Sequence, residues 1–397
     1  MENVIKVKQA QEQVKSTKKK RFEALDIVRG FTIAMMILAN NPGSWGHMWP
    51  FLEHAPWIGF TMTDWIFPSF ITCMGFAMVF SLKHVNKIDL LFLRKVVIRG
   101  LALILIGYVF SAASGTFSRM SDGKDFVTAI NETFYNFRFY GVFVRLGLTF
   151  LLSGTIIVLT KKNLKLLIGI TSCIIVGYLF LLGFGHGYEF SKSNVIYIVD
   201  NAIFSPNHLY AQTIGGLRLT MDPEGLISTI PCIGQALMSF IIGKIFIEYK
   251  GKNNPLLGLF VTASLLIICG LFMSTFCPIS KKVWSISFVL ITSGITFGLI
   301  SIVSFFAPKK HSEKVFYPWK VLGVNSLGVY IISSIIGMIL NDANVNNNSL
   351  HVWIYKGFST MCGTNADAAS FIYAMMILVV SWFIALFLYK KKIYIKL

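Results

Sequence analysis

The stretch NNPGSWGHMWPFLEHAPWIGFTMTDWIFPSF, residues 40–70, interrupts two apolar runs and carries ionisable side chains between them. The first run stops at Asn40, and the Asn-Pro-Gly step that follows predicts the end of a helix, because proline excludes the residue before it from the helical region. Thr61 and Asp64 then stand at the spacing of a capping box, which predicts the start of a second helix. A histidine, His54, and a carboxylate at the ends of two apolar helices indicate a functional site, since ionisable groups are costly there.

The composition indicates a membrane protein. Hydrophobic residues make up 55% of the 397 and charged residues 14%, whereas soluble domains carry roughly a quarter charged residues. The net charge of +18 lies in short segments between apolar runs, which is typical of topology signals and not of nucleic-acid binding. We therefore expect an all-α, polytopic membrane protein with about ten transmembrane helices and no nucleic-acid partner.

Ten apolar runs are long enough to cross a hydrocarbon core of about 30 Å. They cover residues 25–43, 61–82, 92–112, 140–160, 165–183, 226–248, 254–276, 284–306, 318–340 and 369–389.

The basic residues orient these runs. Most of the 36 Lys and Arg residues fall on one predicted side, so the positive-inside rule puts both termini in the cytoplasm. Residues 1–21 are expected to form a disordered basic cytoplasmic tail, and residues 22–397 one transmembrane domain. The His54 loop and the segments 184–225 and 341–368 are expected on the outer face.

Polar and aromatic residues near the run ends have ordinary structural interpretations. Asn325, inside the ninth run, is predicted to hydrogen-bond between helices. Several aromatic residues are predicted to form a belt at the outer interface: Trp45, Trp49, Trp57, Tyr210, Trp284 and Trp353.

Several short motifs follow one another in a fixed order. They are LDIVRG (25–30), HAPWIG (54–59), TMTDWIFPSF (61–70), MDPEGLISTIP (221–231), PISKKVWSISFVL (278–290) and LGVNSLGVY (322–330).

This order resembles the heparan-α-glucosaminide N-acetyltransferase family and its bacterial relatives, which are multi-pass membrane acyltransferases. The resemblance implies acetyl-CoA as the acyl donor and an amine or hydroxyl of a sugar or glycan as the acceptor. It also implies that His54 matches the active-site histidine and that Asn40 matches a family asparagine.

Three residues are predicted to be catalytic. A neutral His54 can take a proton from the acceptor or attack a thioester itself; the alternative is a loop histidine bonded to backbone, and the resemblance favours catalysis. Asn40 would donate to the acyl carbonyl oxygen, or else satisfy carbonyls at its helix end. Asp64 would orient His54, or only cap its helix.

Five further charged residues complete the predicted site. Arg29, Arg99 and Arg145 lie within apolar runs and are predicted to bind coenzyme A, whose phosphates suit guanidinium groups; snorkelling to the interface is the alternative. Asp222 and Glu224 are predicted to bind the sugar, although Asp-Pro at the first helical position also reads as a plain helix start.

These residues predict a membrane-embedded acetyltransferase acting at the outer face of the cell membrane. The alternative is a transporter of small sugars or amino sugars, because such transporters also carry polar residues near broken helices. The expected partners are coenzyme A, the sugar acceptor, the bilayer and, as an option, a second copy of the chain. Six scattered cysteines without CxxC or CxH spacing predict no metal.

Overall fold

The computed structural model describes five segments of the chain. The predicted tail at 1–21 lies outside the described residues. The described segments are 22–82, 90–249, 254–307, 312–345 and 348–395.

Helices make up most of the described part of the chain, which confirms the all-α prediction. In chain order they are α1 (Glu23–Asn40), α2 (Met62–Leu82), α3 (Leu90–Ser121), α4 (Phe126–Tyr135), α5 (Val142–Leu159), α6 (Leu164–Phe184), α7 (Val195–Ile203), α8 (Leu226–Glu248), α9 (Pro255–Met273), α10 (Ile286–Phe306), α11 (Ser312–Val324), α12 (Ser326–Asp342), α13 (Leu350–Cys362) and α14 (Ala366–Lys390).

Two short antiparallel hairpins interrupt the helices. One pairs β1 (Ala211–Ile214) with β2 (Leu217–Thr220), and the other pairs β3 (Asn344–Val345) with β4 (Asn348–Ser349). Gly215 supplies part of the tight turn between β1 and β2 with φ +57°, a conformation that glycine adopts without strain.

Among the described residues, eight helices are long and apolar enough to cross a membrane: α2, α3, α5, α6, α8, α9, α10 and α14. Helices α11 and α12 together form a ninth candidate span, bent by 78°. Helix α1 forms where the first run predicts it, but its 18 residues include Glu23, Asp26 and Arg29, and it is not among these candidate spans.

The prediction of one continuous helix over 318–340 is wrong, because the chain breaks at Asn325. The amide of Asn325 donates to the carbonyl of Ile393 at 2.9 Å and accepts from the N–H of Ile395 at 3.0 Å. These two bonds hold Asn325 in place at the point where the helix is interrupted. The predicted interhelical bond of Asn325 is therefore made to the segment after α14 and not to a neighbouring helix.

Helices α1, α2, α8 and α10 bury most of their residues and form the centre of the bundle. Helices α1 and α11 cross with backbone against backbone: a methyl group on Gly30 would lie 1.7 Å from the carbonyl oxygen of Trp319, and one on Gly323 equally close to that of Asp26. This close approach requires glycine at both positions. It fixes α1, and hence the loop that follows it, against the bundle.

The connections sort into the two sets that the charge pattern predicts. In the predicted inner set, Lys162 Nζ donates to the carbonyl of Leu82, and Lys244 Nζ donates to that of Lys162. In the predicted outer set, Ser121 Oγ donates to the carbonyl of Asp342 at 2.7 Å. Which set faces the cytoplasm stays a prediction.

Candidate active site

The capping box predicted at the start of α2 is confirmed. Asp64 Oδ2 accepts from the backbone N–H of Thr61 at 3.1 Å, and the N–H of Asp64 points back to Thr61 Oγ1 at 3.4 Å. The same carboxylate oxygen accepts from the N–H of Ala55 at 3.1 Å. Asp64 thereby ties the 41–61 loop to the first turn of α2.

The other carboxylate oxygen of Asp64 holds His54. The distance from His54 Nδ1 to Asp64 Oδ1 is 2.7 Å, and the side chain of Asp64 is 1% exposed while that of His54 is 41% exposed. Asp64 therefore fills both roles that the sequence left open, helix cap and partner of the histidine.

This contact fixes the tautomer of His54. An ionised carboxylate can only accept, so Nδ1 carries the proton and Nε2 keeps its lone pair. Burial lowers the pKa of His54 below its ordinary value, the bond to Asp64 opposes that shift, and the charge of Lys281 adds to it. His54 is thus a neutral base at neutral pH, with an accepting nitrogen on a partly exposed ring.

Lys281 contacts the same ring from the loop between α9 and α10. Its Nζ lies 3.2 Å from both ring nitrogens of His54 and 3.9 Å from Asp64 Oδ1. That loop is joined to the His54 loop by two bonds, Gly59 N–H to the carbonyl of Ile279 at 2.8 Å and Ser280 Oγ to that of Trp57 at 2.5 Å.

A second charged group lies before α8. Arg138 forms a two-pronged pair with Asp222, Nε to Oδ2 at 2.7 Å and Nη2 to Oδ1 at 2.6 Å, and also bonds Glu224. Asp222 is fully buried. Burial raises the pKa of Glu224, but the charges of Arg138, Arg145 and Lys281 outweigh it and hold that pKa below its ordinary value.

Helix α8 confirms the apolar run predicted at 226–248, whereas the alternative interpretation of Asp222 as the helix start is wrong. Helix α8 begins at Leu226, with Gly225 as its N-cap. The residues before it form a turn in which the N–H of Gly225 bonds the carbonyl of Asp222 at 3.0 Å. The carboxylate of Asp222 is engaged by Arg138 and by the N–H of Glu224 at 2.9 Å, so its bonds hold this turn together.

Arg145 lies in α5, fully buried beside that turn. Its Nη2 donates to the carbonyl of Pro223 at 2.7 Å and to Ser228 Oγ, while its Nε and Nη1 are buried without a partner among the described residues. The guanidinium carbon lies 5.0 Å from the ring centre of Trp284. Two unpartnered donors fit an anionic or carbonyl group of a bound molecule.

Trp57 and Trp284 do not belong to an interface belt as predicted. Trp284 is fully buried and Trp57 is 7% exposed. The indole of Trp284 donates to Gln235 Oε1 at 3.0 Å, and its backbone φ is +51°, a strained value for a bulky residue. Trp57 belongs to the His54 loop and Trp284 to the Lys281 loop, and each ring is part of a buried apolar cluster.

The remaining predicted residues are not in contact with the His54–Asp64 pair. Asn40 ends α1 and is exposed, and no hydrogen bond within the described segments ties up its amide; Asn41 is the residue that serves the helix end, donating to the carbonyl of Ile37 at 2.9 Å. Arg29 contacts the carbonyl of Cys73 at 3.4 Å, and Arg99 is exposed on α3.

The three predicted coenzyme-binding arginines thus lie in different places. Arg29 faces α2, Arg99 lies on the surface of α3, and Arg145 faces the turn before α8. A cavity of about 310 Å³ opens between the end of α8 and the start of α9, and none of the described residues that line it is basic. No group of three or more metal-ligating side chains occurs in the described segments.

The sequence reasoning missed two residues, Lys281 and Arg138. Lys281 lies in the motif PISKKVWSISFVL and Arg138 just before the fourth apolar run, and in the sequence neither differs from the charges that set the topology. A usable signal was the lysine pair at 281–282 on the predicted outer side, where positive charges are few.

Fold and site together define a multi-pass helical membrane protein with a histidine–carboxylate pair at one end of its bundle. The chain is 26% identical over 370 residues to the heparan-alpha-glucosaminide N-acetyltransferase of Mus musculus and 25% identical over 367 residues to that of Homo sapiens. Each alignment covers 78% of this chain but only 53% and 52% of the relatives, so the chain spans about half their length. No family model matches the chain. The resemblance that the motifs predict is confirmed.

Proposed function

We propose that this chain is a membrane-embedded acyltransferase that moves an acetyl group from acetyl-CoA to an amine or hydroxyl of a sugar. The observation that carries the proposal is the 2.7 Å contact between His54 Nδ1 and Asp64 Oδ1. It leaves an accepting nitrogen on a histidine that molecules can reach. The names of the two relatives support N-acetylation and glucosamine as the acceptor class.

Two routes use this arrangement. In the first, Nε2 takes a proton from the acceptor while the acceptor attacks the thioester carbon, and the leaving thiolate receives that proton. In the second, Nε2 itself bonds to the thioester carbon and the thiolate leaves. The acceptor then attacks the acetyl carbon, the bond to Nε2 breaks, and the acceptor's proton passes through the freed Nε2 to the thiolate. In both routes Asp64 stabilises the positive charge that forms on the imidazole.

Other residues support this chemistry. Asn40 is proposed to donate its uncommitted amide to the acyl oxygen, and Glu224 to hold an ammonium or hydroxyl of the sugar. Arg29, Arg99 and Arg145 are proposed to bind the coenzyme, with the two buried donors of Arg145 as the best-supported contact. Following the predicted orientation, the donor enters from the cytoplasm and the acceptor binds at the outer face of the cell membrane.

A sugar transporter is the second candidate, and the break between α11 and α12 is the observation that favours it. Helices broken at a polar residue often line transport sites, and the break falls at the buried Asn325. No acetyl donor is needed for that function.

One experiment separates the two. The purified protein is reconstituted in lipid vesicles with acetyl-labelled acetyl-CoA and glucosamine, with glucose as the control acceptor that lacks an amine. We expect N-acetylglucosamine and an equal amount of free coenzyme A thiol. Uptake of labelled glucosamine without acetyl-CoA, with no thiol released, would contradict the enzyme and favour the transporter.

A further inference from the structure

Lys281 lies where the reaction would take place. Its Nζ is 3.2 Å from both ring nitrogens of His54. Because Nδ1 carries the proton that Asp64 accepts, only Nε2 can accept a hydrogen bond from Lys281. Its side chain is only 14% exposed. The two hydrogen bonds between its loop and the His54 loop hold the two side chains next to each other.

The surroundings of Lys281 lower its pKa but leave the side chain protonated at neutral pH. Burial lowers the pKa of Lys281 to about 8, while Asp64 and Glu224 raise it and Lys282 and Arg145 lower it further. These charged groups act on Lys281 from α2, α5, the turn before α8 and the loop that carries Lys281 itself. At neutral pH the Nζ group is an ammonium with protons to donate.

The ammonium and an incoming acyl group must share the same place. Nε2 cannot act while its lone pair accepts from Lys281, so the side chain has to release the nitrogen when the thioester arrives. The carbonyl oxygen is bonded to the reacting carbon, so it arrives beside the ammonium that has just been displaced.

From this geometry we infer that Lys281 is a further catalytic residue, which donates a hydrogen bond to the acyl carbonyl oxygen as negative charge develops on it. The inference rests on the proposed function. As the new bond to carbon forms, the π pair of the carbonyl moves to oxygen, and Lys281 stabilises it without giving up its proton. When the pair returns, the carbon–sulfur bond breaks and its electrons leave on the thiolate.

The test compares Lys281→Met and Lys281→Arg with Lys282→Met, the neighbouring lysine that does not contact His54. Removing one donor to such an oxyanion costs on the order of a hundred- to a thousand-fold in kcat. We expect that loss for Lys281→Met with the KM for acetyl-CoA almost unchanged, and a change of only a few-fold for Lys282→Met.

The pH profile of coenzyme A release without acceptor distinguishes a catalytic role of Lys281 from a structural one. The wild-type rate should fall as pH rises through about 8, where Lys281 loses its proton. Lys281→Arg should retain part of the activity and lose this alkaline limb, because guanidinium stays protonated. An unchanged alkaline limb in Lys281→Arg would overturn the inference.

A third measurement does not depend on acetyl transfer. The rate at which diethyl pyrocarbonate modifies His54 is followed by peptide mass spectrometry, and its pH dependence gives the pKa of the ring. Lys281→Met should raise that pKa, because a nearby cation is removed.

Two outcomes separate the inference from the proposed function. If the wild type transfers acetyl and folded Lys281→Met does so equally well, the inference fails and the proposed function stands. If the wild type transfers none, the proposed function fails and the inference with it. Acetyl found on Lys281 itself would make it an acceptor and overturn the inference.

Discussion

His54 Nδ1 and Asp64 Oδ1 lie 2.7 Å apart, and the second oxygen of the same carboxylate caps the helix on which Asp64 stands. The histidine is therefore oriented by a residue that α2 itself holds rigidly. An orienting carboxylate of this kind determines which ring nitrogen can react.

Asp64→Asn should insert and fold but lose most activity. The amide can still accept from Thr61, but its NH₂ group would face His54 Nδ1 and favour the wrong tautomer. We expect a fall on the order of a hundred- to ten-thousand-fold in kcat. Because Asp64 raises the pKa of His54, its loss should also move the acid limb of the pH–rate profile to lower pH.

The matched control for Asp64→Asn is Asp367→Asn, which alters another His–Asp pair. His47 Nδ1 and Asp367 Oδ1 are 3.6 Å apart, with both side chains about half exposed. Asp367→Asn should leave kcat unchanged. Equal activity of the two variants would contradict the orienting role of Asp64.

Arg138→Gln should destabilise the protein. The change leaves the buried carboxylate of Asp222 and the partly buried one of Glu224 without their cation, and breaking a buried pair costs about 3–5 kcal/mol. The thermal melting temperature in detergent should fall clearly, and adding Asp222→Asn should restore part of it. Arg218→Gln, at an exposed position of β2, is the control; equal melting of the two single variants would refute the prediction.

Arg29→Gln and Arg99→Gln should weaken coenzyme binding if these residues hold phosphates. A hydrogen bond to a charged group contributes about 1.5–3 kcal/mol, or about ten- to a hundred-fold in the KM for acetyl-CoA. The KM for glucosamine should stay nearly constant. If the KM for acetyl-CoA is unchanged in both variants, these arginines do not belong to the site.

The orientation is tested by cysteine labelling in intact cells. Lys161 and Lys192 are both exposed and lie in opposite sets of connections, so each is replaced by cysteine in a chain without other cysteines. An impermeant thiol reagent should label position 192 and spare position 161. The reverse pattern would put the His54 loop on the cytoplasmic side.

The sequence predicts the membrane helices because each coincides with a continuous apolar run. It predicts the capping box because Thr61 and Asp64 are close in the sequence. The break at Asn325 was missed since its cause is a pair of bonds to Ile393 and Ile395, far along the chain. The short hairpin around Gly215 had a usable signal, two adjacent glycines between alternating residues.

The site was only partly predictable for the same physical reason. The sequence predicts the pairing of His54 with Asp64 because the two residues are only ten positions apart. The contact between His54 and Lys281 joins residues 227 positions apart, and nothing in local spacing encodes it. The Asp-Pro pattern offers a helix start as the alternative for Asp222 because that pattern is local, whereas the partner of Asp222, Arg138, comes from another segment.

His54→Ala tests the central claim most directly. Purified His54→Ala and the control His47→Ala are given acetyl-CoA and glucosamine, after melting curves have established that both are folded. We expect His47→Ala to transfer acetyl at the wild-type rate and His54→Ala to lose at least a hundred-fold. A folded His54→Ala protein with wild-type acetyl transfer would contradict the account.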